Sequence, residues 1–172
     1  MKIVLLTAGG RAGADFFHSL LDSHSQILQF PGYIKANNDL KFILRGSSFK
    51  NIAKLFIKSH PEFFDSKKNK LERWNKLGIK KNKSFKVSTI KFVKKFSEIS
   101  IKKKDQYDLE KLKNLHIAYF LARNKKINDI KILFIHTHLY LWTKNFIKIF
   151  NLKNFHIIYT IRHPLSSLSS LF

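Results

Sequence analysis

Apolar residues fall into distinct patterns along the chain. At the N-terminus, Lys2–Leu6 is a short β-rich apolar run ended by Thr7-Ala8-Gly9-Gly10, which predicts a buried strand closed by a turn. After Arg11-Ala12-Gly13 the spacing changes. Phe16, Phe17, Leu20 and Leu21 stand at i, i+1, i+4 and i+5, one apolar face of a helix that should stop near Asp22–His24. Ile27–Phe30 predicts a second short strand, closed by Pro31-Gly32.

From about Asp39 to Asn124 the pattern is mainly helical and rich in lysine. Phe49–Ser59 has apolar residues at 49, 52, 55, 56 and 57, and Leu109–Leu121 at 109, 112, 115, 117, 118, 120 and 121. Asp105 or Asp108 is placed to cap the second of these helices. Ser66–Ser84 is polar and reads as including exposed loop, and Lys102–Asp105 as a solvated turn.

The final third returns to an α/β rhythm. Ile132–Ile135 is a continuous apolar run, suited to a parallel strand covered on both faces. Leu139–Phe150 is amphipathic, Phe155–Ile161 is another strand, Arg162-His163-Pro164 turns the chain, and Leu165–Phe172 begins a helix. Strand, turn and helix thus recur three times, without an internal repeat or a clear domain boundary. The expectation is one α/β domain over residues 1–172, a parallel sheet flanked by helices with a helical, lysine-rich insertion in the middle. In such sheets ligands bind beyond the carboxyl ends of the strands.

Composition narrows this picture. With 172 residues and 44% apolar content the chain can bury a sizeable core. No apolar run approaches the roughly 20 residues of a membrane span, and Ile3–Leu6 is too short for a signal-peptide core, so a cytoplasmic location is expected. The absence of cysteine excludes disulfides and thiolate metal sites. The net charge of +22 invites a nucleic-acid reading. Only five of the 33 basic residues are arginine, however, and the lysines are scattered among many Asn, Ile and Phe. An AT-rich genome imposes that bias whatever the function. The charge still leaves room for a polyanionic partner such as a phosphorylated donor.

The first candidate chemistry lies in the loop Gly9–Gly13. A strand, a glycine-rich turn and a helix start form an anion site, because the backbone can approach a phosphate closely and the helix aims unpaired N–H groups at it. Arg11 adds a permanent, bidentate charge. A nucleotide triphosphatase loop needs Lys and Ser or Thr after its last glycine, but Gly13 is followed by Ala14 and Asp15. A dinucleotide loop reads G-x-G-x-x-G, whereas Ala8–Gly13 gives A-x-G-x-x-G, and Ile27–Gly32 lacks the acidic residue that would follow. A second candidate is His136-Thr137-His138 after a buried strand. Two histidines at i, i+2 suit a metal, but no third ligand is evident nearby in the sequence.

Thr7–Asp22 resembles the 5′-phosphosulfate loop of sulfotransferases that use 3′-phosphoadenosine-5′-phosphosulfate. Arg11 stands at that loop's basic position and Gly13 at its glycine. Leu20-Leu21-Asp22-Ser23-His24 is similar to the helix end of bacterial members. Ala12, Ala14 and Asp15 depart from the pattern by removing three hydroxyls, and Phe16 stands where cytosolic members have Trp. Ile158–Pro164, running on to Ser170, resembles the family's 3′-phosphate motif, with Ser170 eight positions after Arg162. Ile135–Leu139 is similar to the family's Lys-Thr-His-Leu-Pro stretch, with His136 in place of the lysine and Tyr140 in place of the proline.

The resemblance implies a P-loop-like sulfotransferase fold and transfer of a sulfuryl group to an acceptor hydroxyl, a carbohydrate being the favoured class. It implies donor contacts from Gly9, Gly10, Arg11, Ala12, Gly13, Ala14, Asp15 and Phe16 at the 5′ end, and from Arg162 and Ser170 at the 3′-phosphate. His138 would be the general base, Arg11 would stabilise the leaving phosphate, and adenosine 3′,5′-bisphosphate would be the product, with no metal required. Family members continue past this point, so the chain is expected to be an N-terminal fragment. The competing classes are a dinucleotide-dependent oxidoreductase and a basic, non-enzymatic nucleic-acid-binding protein.

Overall fold

Four strands, β1 (Lys2–Ala8), β2 (Ile27–Leu28), β3 (Ile132–Leu139) and β4 (His156–Thr160), form one parallel sheet in the order β2-β3-β1-β4. The computed structural model describes residues 1–9, 12–22, 24–35, 38–68, 84–103, 107–125, 127 and 129–161, with backbone alone at 38, 102 and 103. The chain divides into two compact units, Met1–Lys41 with Ile127–Phe172, and Phe42–Lys126. Among the described residues no helix is long and apolar enough to cross a membrane.

The sheet belongs to the first unit. Leu5, Leu6, Leu133, Phe134 and Ile135 are buried, as expected for central strands covered on both faces. On one face Leu6, Ala8, Ile27 and Phe134 pack with Ala14, Phe17 and Leu21 of helix α1 (Ala14–Leu20) and its C-terminal end. The link from β3 to β4 runs through a helix at Tyr140–Phe150, which packs on β1 and β3. The link from β1 to β2 moves toward one edge of the sheet and the link from β3 to β4 toward the other. Right-handed crossovers of opposite direction put their helices on opposite faces.

Half of the expected face of α1, Phe17 and Leu21, packs on the sheet, and the other half is corrected. Phe16 and Leu20 are 70% and 64% exposed, while Ala14 and His18 are the buried positions. Small Ala14 lets the short helix sit close to the sheet, and the His18 ring stacks on Phe134 at 5.8 Å. Burial pushes His18 down from 6.5 to about 4, so the ring packs as a neutral, flat group. β1 also runs two residues beyond Leu6, because Thr7 and Ala8 still pair with Tyr159 and Thr160. β2 is shorter than Ile27–Phe30, pairing with β3 through Ile27 and Leu28 alone.

Helix α2 (Asn38–Leu44) lies where the chain passes from one unit to the other. The second unit is helical: α3 (Phe49–Ser59), α4 (Pro61–Phe64), a 3₁₀ turn at Ser66–Lys68, α5 (Thr89–Lys103) and α6 (Asp108–Ala122). The helix following β3 is therefore α7. The core of the second unit is an aromatic cluster in which Phe92 contacts Phe56, Phe64 and Phe96, and the Tyr119 hydroxyl donates to the Phe63 carbonyl at 2.6 Å. Two expectations need correction. Lys102 and Lys103 continue α5 rather than forming a turn, and Tyr107, not Asp108, holds the cap position of α6. Asp108 instead stands in the first turn, where its charge suits the helix dipole and pairs with Lys111. Asp105 and most of the expected loop between Ser66 and Ser84 lie outside the described residues.

His116 is fully enclosed in α6, with Nδ1 2.8 Å from the Leu112 carbonyl, and burial pushes it down from 6.5 to about 3. The unfolded chain therefore binds a proton that the folded chain refuses between those two pH values. The stabilisation is complete above pH 6.5 and is lost as pH falls through that window, at about 1.4 kcal/mol per pH unit per proton. Urea unfolding followed by circular dichroism between pH 7.5 and about 4 should show this slope. His116→Leu should reduce it by one proton, and an unchanged slope would refute the assignment.

Candidate functional site

The opposed crossovers define where a ligand can lie. Neighbouring strands β1 and β3 send their connections in opposite directions from their carboxyl ends, which opens a crevice at the switch point. On its β1 side, the loop begins at Gly9. A Cβ there would lie 2.7 Å from the Tyr159 hydroxyl, so a larger residue would displace the tip of that exposed side chain. Gly13 favours glycine because its φ of 77° is left-handed, although the space around it is open. It caps α1, and the Phe17 amide donates to its carbonyl at 2.9 Å. The amides of Ala14, Asp15 and Phe16 precede that first helical bond and have no intrahelical acceptor. Gly10, Arg11, Arg162 and Ser170 lie outside the described residues. The strand ends leading to them are adjacent, since Ala8 is the register partner of Thr160.

On the β3 side the ladder is interrupted. Leu6 pairs with His136 but Thr7 pairs with His138, so Thr137 is an extra residue in β3. Its hydroxyl donates to the Leu6 carbonyl at 3.0 Å and meets the Thr143 hydroxyl at 2.6 Å. Thr143, in the first turn of α7, lies 3.1 Å from the Leu139 carbonyl, and its single hydrogen is shared between that acceptor and the Thr137 oxygen. These bonds stabilise the bulge and place His138 at a left-handed φ of 64°. Bulges of this kind re-aim a side chain at the end of a strand.

The two histidines therefore have different surroundings. His136 is buried, flanked by the His18 ring at 5.1 Å and Tyr33 at 6.0 Å, with its Nδ1 3.8 Å from the Asp15 carboxylate. Burial and the neighbouring histidines push it down from 6.5 to about 3. It is neutral at pH 7 and does not supply the positive charge of a lysine in that position. His138 is half-buried, stacked on Tyr33 at 4.8 Å and tilted against Trp142 at 6.1 Å. A half-buried imidazole held by two aromatic rings is an oriented proton acceptor. Phe16, exposed at the start of α1, is free of the core and presents its ring to solvent beside the loop.

Tyr33, Trp142 and the approach of Asp15 to His136 were not legible as site features. Tyr33 follows Pro31-Gly32 in a segment that returns to β3, where the Ile34 amide donates to the His136 carbonyl at 2.8 Å. Trp142, four residues after His138, carries the one available signal, because that spacing across a strand end and a first helical turn brings side chains together. No family model, curated protein or solved structure matches the chain.

The left-handed backbone at 138 yields a direct check. A Cβ in that conformation costs about 1 kcal/mol that glycine avoids. In paired denaturation measurements His138→Gly should be more stable than His138→Ala by about that amount. Equal stability, or a more stable alanine variant, would mean that the backbone at 138 is not left-handed.

Proposed function

We propose that the crevice binds 3′-phosphoadenosine-5′-phosphosulfate and that the chain directs its sulfuryl group to an acceptor hydroxyl. The observation that carries the reading is the pairing of Ala8 with Thr160. The two motifs that resemble phosphate-binding segments, at opposite ends of the sequence, leave from hydrogen-bonded neighbours on one edge of one sheet. Arg11 follows the first strand end by three residues and Arg162 follows the second by two, and in this reading both serve one doubly phosphorylated nucleoside. The strand order favours this over a dinucleotide-dependent oxidoreductase, because the dinucleotide fold sets its second strand beside the first, where this sheet has β3.

In this reading Gly9, Gly10, Ala12, Gly13 and the amides of Ala14, Asp15 and Phe16 cradle the 5′ phosphosulfate, with Arg11 on its oxygens. Arg162 and Ser170 hold the 3′-phosphate, and the Phe16 ring lies against the adenine. His138 takes the proton of the acceptor hydroxyl as that oxygen attacks sulfur. The bond from sulfur to the bridging phosphate oxygen breaks, and adenosine 3′,5′-bisphosphate leaves with its charge met by Arg11 and the loop amides. A carbohydrate hydroxyl is the acceptor class that the family resemblance implies.

Calorimetric titration with adenosine 3′,5′-bisphosphate, NAD and an oligonucleotide tests the reading. Saturable binding to the bisphosphate alone is expected, weakened more than about tenfold by Arg162→Ala through loss of a charge-assisted phosphate contact. Preference for either other ligand, or undiminished binding by a folded variant, would overturn it. With labelled donor and candidate glycans, His138→Gln should lower kcat by about 10²–10⁴-fold while donor affinity stays the same.

A further inference from the structure

We propose that Asp15, His136 and His138 form a divalent transition-metal site of the zinc type. Each offers one ligand atom, and the three atoms lie within 4.8 Å of one another. Some point lies within about 2.8 Å of all three atoms so spaced, so small side-chain adjustments reach the roughly 2.0–2.2 Å of zinc bonds to imidazole and carboxylate. The Asp15 Oδ1 to His136 Nδ1 distance, 3.8 Å, is already near the ligand–ligand spacing of about 3.4 Å in a tetrahedral zinc centre.

An independent observation points to a ligand there. Both ring nitrogens of His136 and the Nδ1 of His138 are buried without a hydrogen-bond partner among the described residues. Buried polar atoms are ordinarily satisfied, and a cluster of orphans facing a carboxylate is the donor set that a cation completes. The His136 side chain is fully buried. Residues two apart on a strand share a face, and the His136 and His138 rings lie 5.6 Å apart beside the bulge. Two imidazoles and one carboxylate leave a fourth position for water or a substrate oxygen. The 45% exposure of the Asp15 side chain gives that position an outlet to solvent.

The site shares His138 with the transfer reaction but does not rest on that reading. A metal-bound imidazole has no lone pair left to accept a proton, so the metal-loaded chain is a different chemical state from the one that would transfer sulfuryl by general-base catalysis. The two readings fail separately, one in titrations with zinc and the other in titrations with adenosine 3′,5′-bisphosphate.

The test is titration of the full chain, freed of metal by chelator, with Zn(II) alone in a calorimeter, alongside metal analysis after dialysis. One saturable site per chain is expected. Asp15→Ala, at an exposed position, and His138→Gly, which keeps the left-handed backbone, should each weaken it more than about tenfold. The double variant His24→Gln/His156→Gln should bind like the unaltered chain, which separates the site from exposed histidines. Circular dichroism establishes that each variant is folded. The assignment is overturned if no saturable site exists, or if its affinity survives both Asp15→Ala and His138→Gly in folded protein.

Discussion

The hydroxyl of Thr137 donates to the Leu6 carbonyl, and much of the crevice follows from that bond. A parallel ladder that admits an extra residue leaves backbone groups unmatched, and a buried carbonyl without a donor is costly. Thr137 supplies the donor from its side chain, and Thr143 ties the same hydroxyl to the start of α7. The extra residue is thereby stable in the middle of the sheet, where register is otherwise strongly enforced by burial. His138 owes its left-handed backbone, and hence its stacking on Tyr33, to this arrangement.

Strand order adds the second constraint. With β3 inserted between β1 and β2, the connections after β1 and β3 depart in opposite directions. The loop after Ala8, the first turn of α1 and the bulge in β3 consequently share one end of the sheet. The β1–β4 pairing brings the start of the Arg162 segment to the same end. Sheet topology alone therefore gathers residues that the sequence spreads from one terminus to the other.

Much of the scaffold was legible because its signals are local. The run Ile132–Ile135 announced β3, and the spacing within Phe49–Ser59 gave α3 its observed limits. The loop Gly9–Gly13 was recognisable from its glycines, of which Gly13 has a left-handed φ and Gly9 runs close to the Tyr159 hydroxyl. What stayed hidden depends on pairing between distant segments. The bulge is set by a register between residues 131 apart, and nothing within Ile135–Leu139 announces it. Half of the buried face of α1 was misjudged because phenylalanine and leucine outrank alanine and histidine in any hydrophobic pattern. Close packing on the sheet instead selected the small residue and the flat neutral ring. The approach of Asp15 to His136 is visible only once α1 is laid against β3.

Departures from local regularity converge on this one place. The described non-glycine residues with positive φ are Asn124, Asp129, His138 and Asn151. Asparagine and aspartate tolerate that conformation, and Asn151 is the C-cap of α7. His138 is the exception, and it adjoins the sheet irregularity, two buried histidines with unpartnered ring nitrogens, and a carboxylate on a helix start. Packing alone would favour apolar side chains at 18 and 136, since burying an imidazole nitrogen without a partner costs on the order of 1–3 kcal/mol. The same coincidence supports both a proton acceptor at His138 and a metal held by His136, His138 and Asp15. What distinguishes them is whether His136 is only the back wall of the crevice or gives one of its ring nitrogens as a donor.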